Sequence, residues 1–118
     1  WDTMTVLQLK DILSAELLCG GDHLDREVQT ACGSDMMSDV LAFVKDQSVL
    51  ITGLNNPQVV RTADMMDMIC IVFVRGKKPD AGILALAEER GMAILCTDHT
   101  MFTACGLLYA HGLRGGVH

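Results

Sequence analysis

Aromatic residues are scarce: one Trp, one Tyr and three Phe make up 4% of the 118 residues, while 50% of the chain is hydrophobic. A core built with so few rings must come from Leu, Ile, Val, Ala and the eight Met, the composition of helices and buried strands and not of a β-sandwich. Long apolar runs are missing too. The longest, Ile69 to Val74, falls far short of the roughly 20 residues of a membrane span, and no charged-then-apolar leader opens the sequence. A soluble, cytoplasmic protein with no membrane partner is expected.

Positive charge is in deficit. Nine Lys and Arg against fifteen Asp and Glu give a net charge of −6, which repels a phosphate backbone at long range and argues against nucleic acid as a partner. Cys19, Cys32, Cys70, Cys96 and Cys105 form no C-x-x-C pair, so there is no zinc framework. An odd number of Cys in mostly apolar settings reads as reduced structural thiols, with Cys32, beside Gly33, the one open to reactivity. Catalytic signatures are absent as well: no G-x-x-x-x-G-K-[ST] cradle for a triphosphate, no G-x-G-x-x-G, no G-x-S-x-G elbow and no H-E-x-x-H. No cofactor or metal is expected.

What is present is alternation. Thr5 caps a helix with Val6, Leu9, Ile12 and Leu13 at helical spacing. Leu17 to Cys19 makes a short strand stopped by Gly20-Gly21, a polar loop runs from Asp22 to Arg26, and a short strand is placed at Glu27 to Cys32. From Ser34, the residues Met36, Met37, Val40, Leu41 and Val44 form one face of a helix, with Asp35, Ser38, Asp39 and Lys45 largely elsewhere. Val49 to Ile51 is a buried strand. Asn56-Pro57 starts a helix that reaches about Asp67. Ile69 to Val74 is a continuous apolar run, as in a strand covered on both faces. Asp80 caps a helix that Gly91 stops, Ala93 to Cys96 is another buried strand, and Thr97 or Asp98 caps a last helix ending at Gly112. Strands and helices in strict alternation, joined by a few residues, predict a single domain over 1–118 with an α/β fold: three α/β/α layers around a mostly parallel sheet.

Ligands of open α/β sheets favour the crevice beyond the carboxyl ends of the strands, where helix amino termini point. Those ends offer Thr52, Gly53, Asn55 and Asn56, then Arg75 and Gly76, then Thr97, Asp98 and His99. The candidate ligand-binding residues are therefore Asn55, Arg75, Thr97, Asp98 and His99, with Asp25 and Arg26 closing over them from the polar loop. Asn56, Asp80 and Thr97 also read as ordinary caps. Arg75, Lys77 and Lys78 read either as solvated loop charge or as an anion-binding corner. His99, at a helix amino terminus, reads as an acid–base group, a ligand donor or a second capping residue. Asp35 and Asp39, four apart, read as a solvated face in preference to a metal site. Met65, Met66 and Met68 read as core in preference to a partner surface.

The stretch Leu24-Asp25-Arg26-Glu27-Val28, followed by Gly33-Ser34-Asp35-Met36-Met37-Ser38-Asp39-Val40-Leu41-Ala42, resembles the core of the DRTGG domain family. The end of the chain, Leu107-Leu108-Tyr109 and Gly112-Leu113-Arg114-Gly115, is similar to that family's closing segment. Thr30-Ala31-Cys32-Gly33 stands where a Thr/Gly-rich turn is expected. The resemblance implies the fold of the N-terminal, non-kinase domain of HPr kinase/phosphorylase. It also implies an accessory, non-catalytic regulatory role, as in phosphotransacetylases, CBS-containing enzymes and hydrogenase-associated proteins, and frequent dimerisation. Two functions follow as expectations. One is a regulatory or ligand-sensing domain, a homodimer binding a nucleotide, another small anion or an enzyme subunit. The other is a small enzyme in which Asp98 and His99, with Cys32 or Arg75, converge at the strand ends.

Overall fold

The structure, a computed structural model, describes residues 4–38, 40 and 47–114. The chain opens with β1 (Met4–Thr5) and helix α1 (Val6–Leu13). Thr5 and Gln8 form a reciprocal capping box at the start of α1, which satisfies two of the amides that every helix start leaves without a partner. Next come β2 (Glu16–Cys19), a short 3-10 turn (Gly21–His23), β3 (Glu27–Val28) and β4 (Thr30–Gly33). Three further strands, β5 (Ser48–Thr52), β6 (Cys70–Phe73) and β7 (Ala93–Cys96), alternate with α2 (Pro57–Met65), α3 (Ala81–Glu89) and α4 (Met101–Ala110). Of the helix expected from Ser34, Asp39, Leu41, Val44 and Lys45 lie outside the described residues.

One sheet, in the order β2-β7-β6-β5-β4, organises the molecule. Strands β4 to β7 are mutually parallel, and β2 runs antiparallel along the β7 edge. Both faces are covered, and the strand residues alternate between them. Val49, Ile51, Cys70, Val72, Ala93 and Leu95 pack with α1 and α4 residues such as Leu9, Leu13, Ala104 and Leu108. Leu50, Ile71, Phe73 and Ile94 pack on the other side with Val59, Val60, Ala63, Ile83 and Ala87 of α2 and α3. The expected α/β/α layering is the observed one.

Three local expectations change. The strand placed at Glu27 to Cys32 divides. Val28 pairs with Met4 in a separate two-stranded sheet, while Thr30–Gly33 join β5. Val28 is buried in the α1 core, so its burial, and not its β propensity, sets its partner. The family's turn position is accordingly strand β4. The last helix is capped by Thr100, whose side chain accepts from the Thr103 amide, while the Thr97 hydroxyl donates to the Leu13 carbonyl and accepts from the His99 amide one turn earlier. Met68 is core at 4% exposure, whereas Met65 is 67% exposed.

Gly20 is the tightest joint. Its φ is +87°, and a Cβ there would lie 2.5 Å from Ala93 Cα and 2.8 Å from the Met92 carbonyl oxygen. Both are backbone atoms at the start of β7, so neither can swing aside. Left-handed strain together with this overlap predicts that Gly20→Ala costs at least about 2 kcal/mol in denaturant unfolding.

Candidate functional site

Because β4 to β7 are parallel, their carboxyl ends deliver the turns around 33–35, 52–56, 74–78 and 97–100 to one edge of the sheet. Asn55, Arg75, Thr97, Asp98 and His99 all lie there, as the alternation predicts. Arg75 and Gly76 take successive positive φ values of 60° and 66°. That turn aims their amides at the neighbouring loop: Arg75 N–H donates to the His99 carbonyl and Gly76 N–H to the Thr97 carbonyl, each at 2.8 Å. Asn55 Nδ2 donates to the Lys78 carbonyl at 3.0 Å. Asn56 and Asp80 accept from the first-turn amides of α2 and α3. These backbone donors are met from within the protein.

Thr97 belongs to this internal bonding. It is 2% exposed, donates its hydroxyl to the Leu13 carbonyl at 2.8 Å and accepts from the His99 amide at 3.3 Å. It ties the end of α1 to the β7 loop. Sequence reasoning treated Asp35 as solvated charge, yet Asp35 is central. Its Oδ1 accepts from the Gly53 amide at 2.7 Å and from the Thr52 hydroxyl at 2.9 Å. The signal was available, since an acid just beyond one strand can reach the first amide beyond its parallel neighbour. Arg75 covers the same place: a Cβ on Gly53 would lie 2.9 Å from Arg75 Nη2 and 3.6 Å from Asp35 Oδ1. A carboxylate and a guanidinium thus face one glycine.

Asp25 and Arg26 are not part of this edge. Arg26 Nη1 donates to the Gly91 carbonyl, and the amides of Val6 and Leu7 donate to the carbonyls of Arg26 and Leu24. Gly91 precedes β7, so the polar loop packs at the amino end of the strands, opposite Arg75. The expectation that it closes over the site is corrected by the direction of β2, which carries the chain from Glu16, opposite Cys96, back to Cys19, opposite Ile94. Among the described residues, no hydrogen bond or ion pair joins the side chains of Arg75, Asp98 and His99. Glu16 instead pairs with Lys78 at 2.9 Å, which raises the Lys78 pKa through that hydrogen bond and charge.

A cavity of about 160 Å³ lies elsewhere, between α4 and β4. Gly33, Ile51, Cys105 and Leu108 line it, with exposed Tyr109 and Arg114 beside them. The Arg114 guanidinium stacks 3.8 Å above the Tyr109 ring centroid and donates to the Tyr109 carbonyl at 2.7 Å. Cys105 Sγ sits where a side chain on Gly33 would be, and burial pushes its thiol pKa up. Burial does the same, more strongly, for Cys70 inside β6. Cys32, half-buried on β4, packs against the α2–α3 core.

The family model described as DRTGG domain matches residues 8–110. Among solved structures, the chain is similar to the CBS and DRTGG domains of the regulatory region of Clostridium perfringens pyrophosphatase, complexed with its activator diadenosine tetraphosphate. The TM-score is 0.71 at 20% identity, over 85% of this chain and 44% of that one. The likeness is one of fold, and the chain spans less than half of that protein region.

The buried thiols set an alkaline limit on stability. The Cys70 pKa is raised above its ordinary value of 9.0, chiefly by desolvation. Above pH 9 the unfolded chain therefore loses a proton that the folded chain keeps, and stability falls as pH rises. Urea unfolding between pH 8 and pH 10.5 should show this decline. Cys70→Ala should flatten it by up to about 1.4 kcal/mol per pH unit; an unchanged slope would assign the decline to other groups.

Proposed function

The chain belongs to the DRTGG domain family, and from that membership and the strand-end geometry we propose that it is a non-catalytic regulatory domain sensing an anionic small molecule. A nucleotide or another phosphate-bearing ligand fits, and the signal passes to an enzyme subunit through a symmetric dimer of the domain, the commonest closed oligomer. The observation that carries this reading is the Asp35 carboxylate seated on the Gly53 amide beside the Arg75 guanidinium. The protein places its own anion where a phosphate oxygen would sit, with a cation at its side. A ligand anion would compete with Asp35 for that amide and take Arg75 as its charged partner. Such competition converts ligand concentration into movement of the segment after β4.

The occurrence of this fold as part of a nucleotide-activated regulatory region supports the reading. The engaged amides of Arg75 and Gly76 shape it: recognition falls to side chains, with Asn55, Asp98 and His99 around Arg75, and not to a row of free backbone donors. Asp25 and Arg26, at the other edge, stand outside it. The enzyme alternative has less support because Asp98 and His99 form no pair.

Calorimetric titration with ATP and with pyrophosphate tests the proposal. Arg75→Ala should weaken binding tenfold to a hundredfold, the worth of roughly 1.5–3 kcal/mol for a charged hydrogen bond. Arg61→Ala, on the exposed side of α2, should leave binding unchanged. Asp35→Asn, which removes the competing charge, should tighten binding. ATP should remain intact throughout, since no loop cradles its phosphates with a metal ion. Equal binding by Arg75→Ala and Arg61→Ala with the fold intact would sink the reading, and so would ATP turnover abolished by a substitution in this chain.

A further inference from the structure

Helix α4 carries no charged residue in its ten positions, Met101 to Ala110, while α1, α2 and α3 each carry at least two. Helices that are apolar all round are normally buried all round. This one is buried only on the Ala104 and Leu108 side; Phe102 is 88% exposed and Tyr109 60%. The two rings are seven residues apart, two turns or about 10.5 Å, on one flank of the helix. That flank faces β4, because Cys105, between the rings, packs on Gly33. The cavity of about 160 Å³ opens beneath Tyr109 on the same flank. One face thus presents a projecting ring and, beside it, an apolar hole. An apolar cavity of about 150 Å³ accepts benzene, so the hole matches the end of a phenylalanine side chain.

We propose that this face is a two-fold interface between copies of the chain, with Phe102 of each copy seated in the α4–β4 cavity of the other. The proposal rests on the pairing stated above and names its surface. A two-fold axis through the middle of the Phe102–Tyr109 span sets the two α4 helices antiparallel and brings each Phe102 over the other copy's Cys105–Tyr109 stretch. Such an isologous contact satisfies a projection and a hole at once.

Charge argues for the same occupant. Each copy carries −6, so two copies meet at least cost through a surface without acidic groups. Among the described residues that line the cavity, the charged one, Arg114, is turned back over its own Tyr109. The exposed parts of the two rings from both copies supply on the order of 600 Å², about half of the roughly 1,200 Å² of a small specific interface, and exposed Thr103 and Ala110 extend the same helix surface.

Sedimentation velocity of the wild-type chain and of Phe102→Glu tests this. The ring is exposed in the single copy, so Phe102→Glu should keep the wild-type circular dichroism and unfolding midpoint at low concentration. It should sediment as a monomer where the wild type is a dimer. The dissociation constant should rise about thirtyfold per buried ring, hence about a thousandfold for the symmetric pair. A photo-cross-linking residue at position 102 should join two copies at the cavity walls, Ala31, Leu108 or Tyr109. A wild-type chain that stays monomeric at high concentration overturns both the pairing and this interface. A wild-type dimer that survives Phe102→Glu, or cross-links that fall elsewhere, overturns the interface alone. Titration with ATP is read separately on the monomeric variant.

Discussion

Everything else in the molecule follows from the burial of both faces of strands β5, β6 and β7. The side chains of Val49, Leu50, Cys70, Ile71, Val72, Phe73, Ala93, Ile94 and Leu95 are wholly shielded, and burying each Val, Leu, Ile or Phe contributes roughly 1.5–3 kcal/mol. Parallel strands buried on two sides have no room for polar groups along their length. Polar chemistry is pushed to the two edges where strands end, or to the outside of the helices. The layered core therefore limits where a functional site can be before any particular residue is considered.

At the carboxyl edge several backbone donors are met from within: the β7 loop carbonyls hold the Arg75–Gly76 amides, and the Asn56 and Asp80 side chains hold first-turn amides of α2 and α3. Asp35 holds the Gly53 amide. An edge that satisfies itself is stable without a ligand, and a regulatory domain must be stable in both its free and bound states. A ligand shifts such an equilibrium only by the difference in its affinity for the two states. Replacing an internal carboxylate by an external anion keeps that difference modest, so binding remains readily reversible. The side-chain cation beside the occupied amide is what distinguishes this edge from an ordinary capped one.

The elements that depend on local chemistry were legible in the sequence. Thr5, Asn56 and Asp80 cap the helices expected of them, Gly91 ends α3, and the apolar runs at 49, 69 and 93 become β5, β6 and β7. Decisions between distant segments were not legible. Val28 and Thr30, two residues apart, go to different sheets because their partners, Met4 and Ser48, lie far away along the chain. Asp25 and Arg26 were assigned to the wrong edge because the antiparallel direction of β2 leaves no local trace. Thr97 and Asp98 read as caps for the last helix, yet the cap is Thr100, and Thr97 ties its loop to the Leu13 carbonyl 84 residues away, a contact with no local trace. The uncharged run of α4 was visible throughout, but it gained meaning only once one side of the helix was seen to be covered and the other bare.

The two surfaces of interest are joined by a short stretch of chain. The β7 loop that holds the Arg75 and Gly76 amides runs from Thr97 to His99, and Thr100 then caps α4, whose second residue is Phe102. On the other side, Asp35 follows β4, and Gly33 at the end of β4 packs on Cys105 at the cavity wall. Arg75 and Asp35 thus each lie within one hydrogen bond or a few residues of the α4–β4 flank. Coupling between sites is carried by elements that both sites bias, and it acts equally in both directions. On the reading proposed above, a ligand that drew Arg75 or displaced Asp35 would act on the two elements that frame the cavity, and an occupant of the cavity would act back on the Arg75 edge. With the proposed ligand edge and contact face on adjoining strands, displacements of the β4 end and the α4 start would be sufficient to link them, without long-range motion.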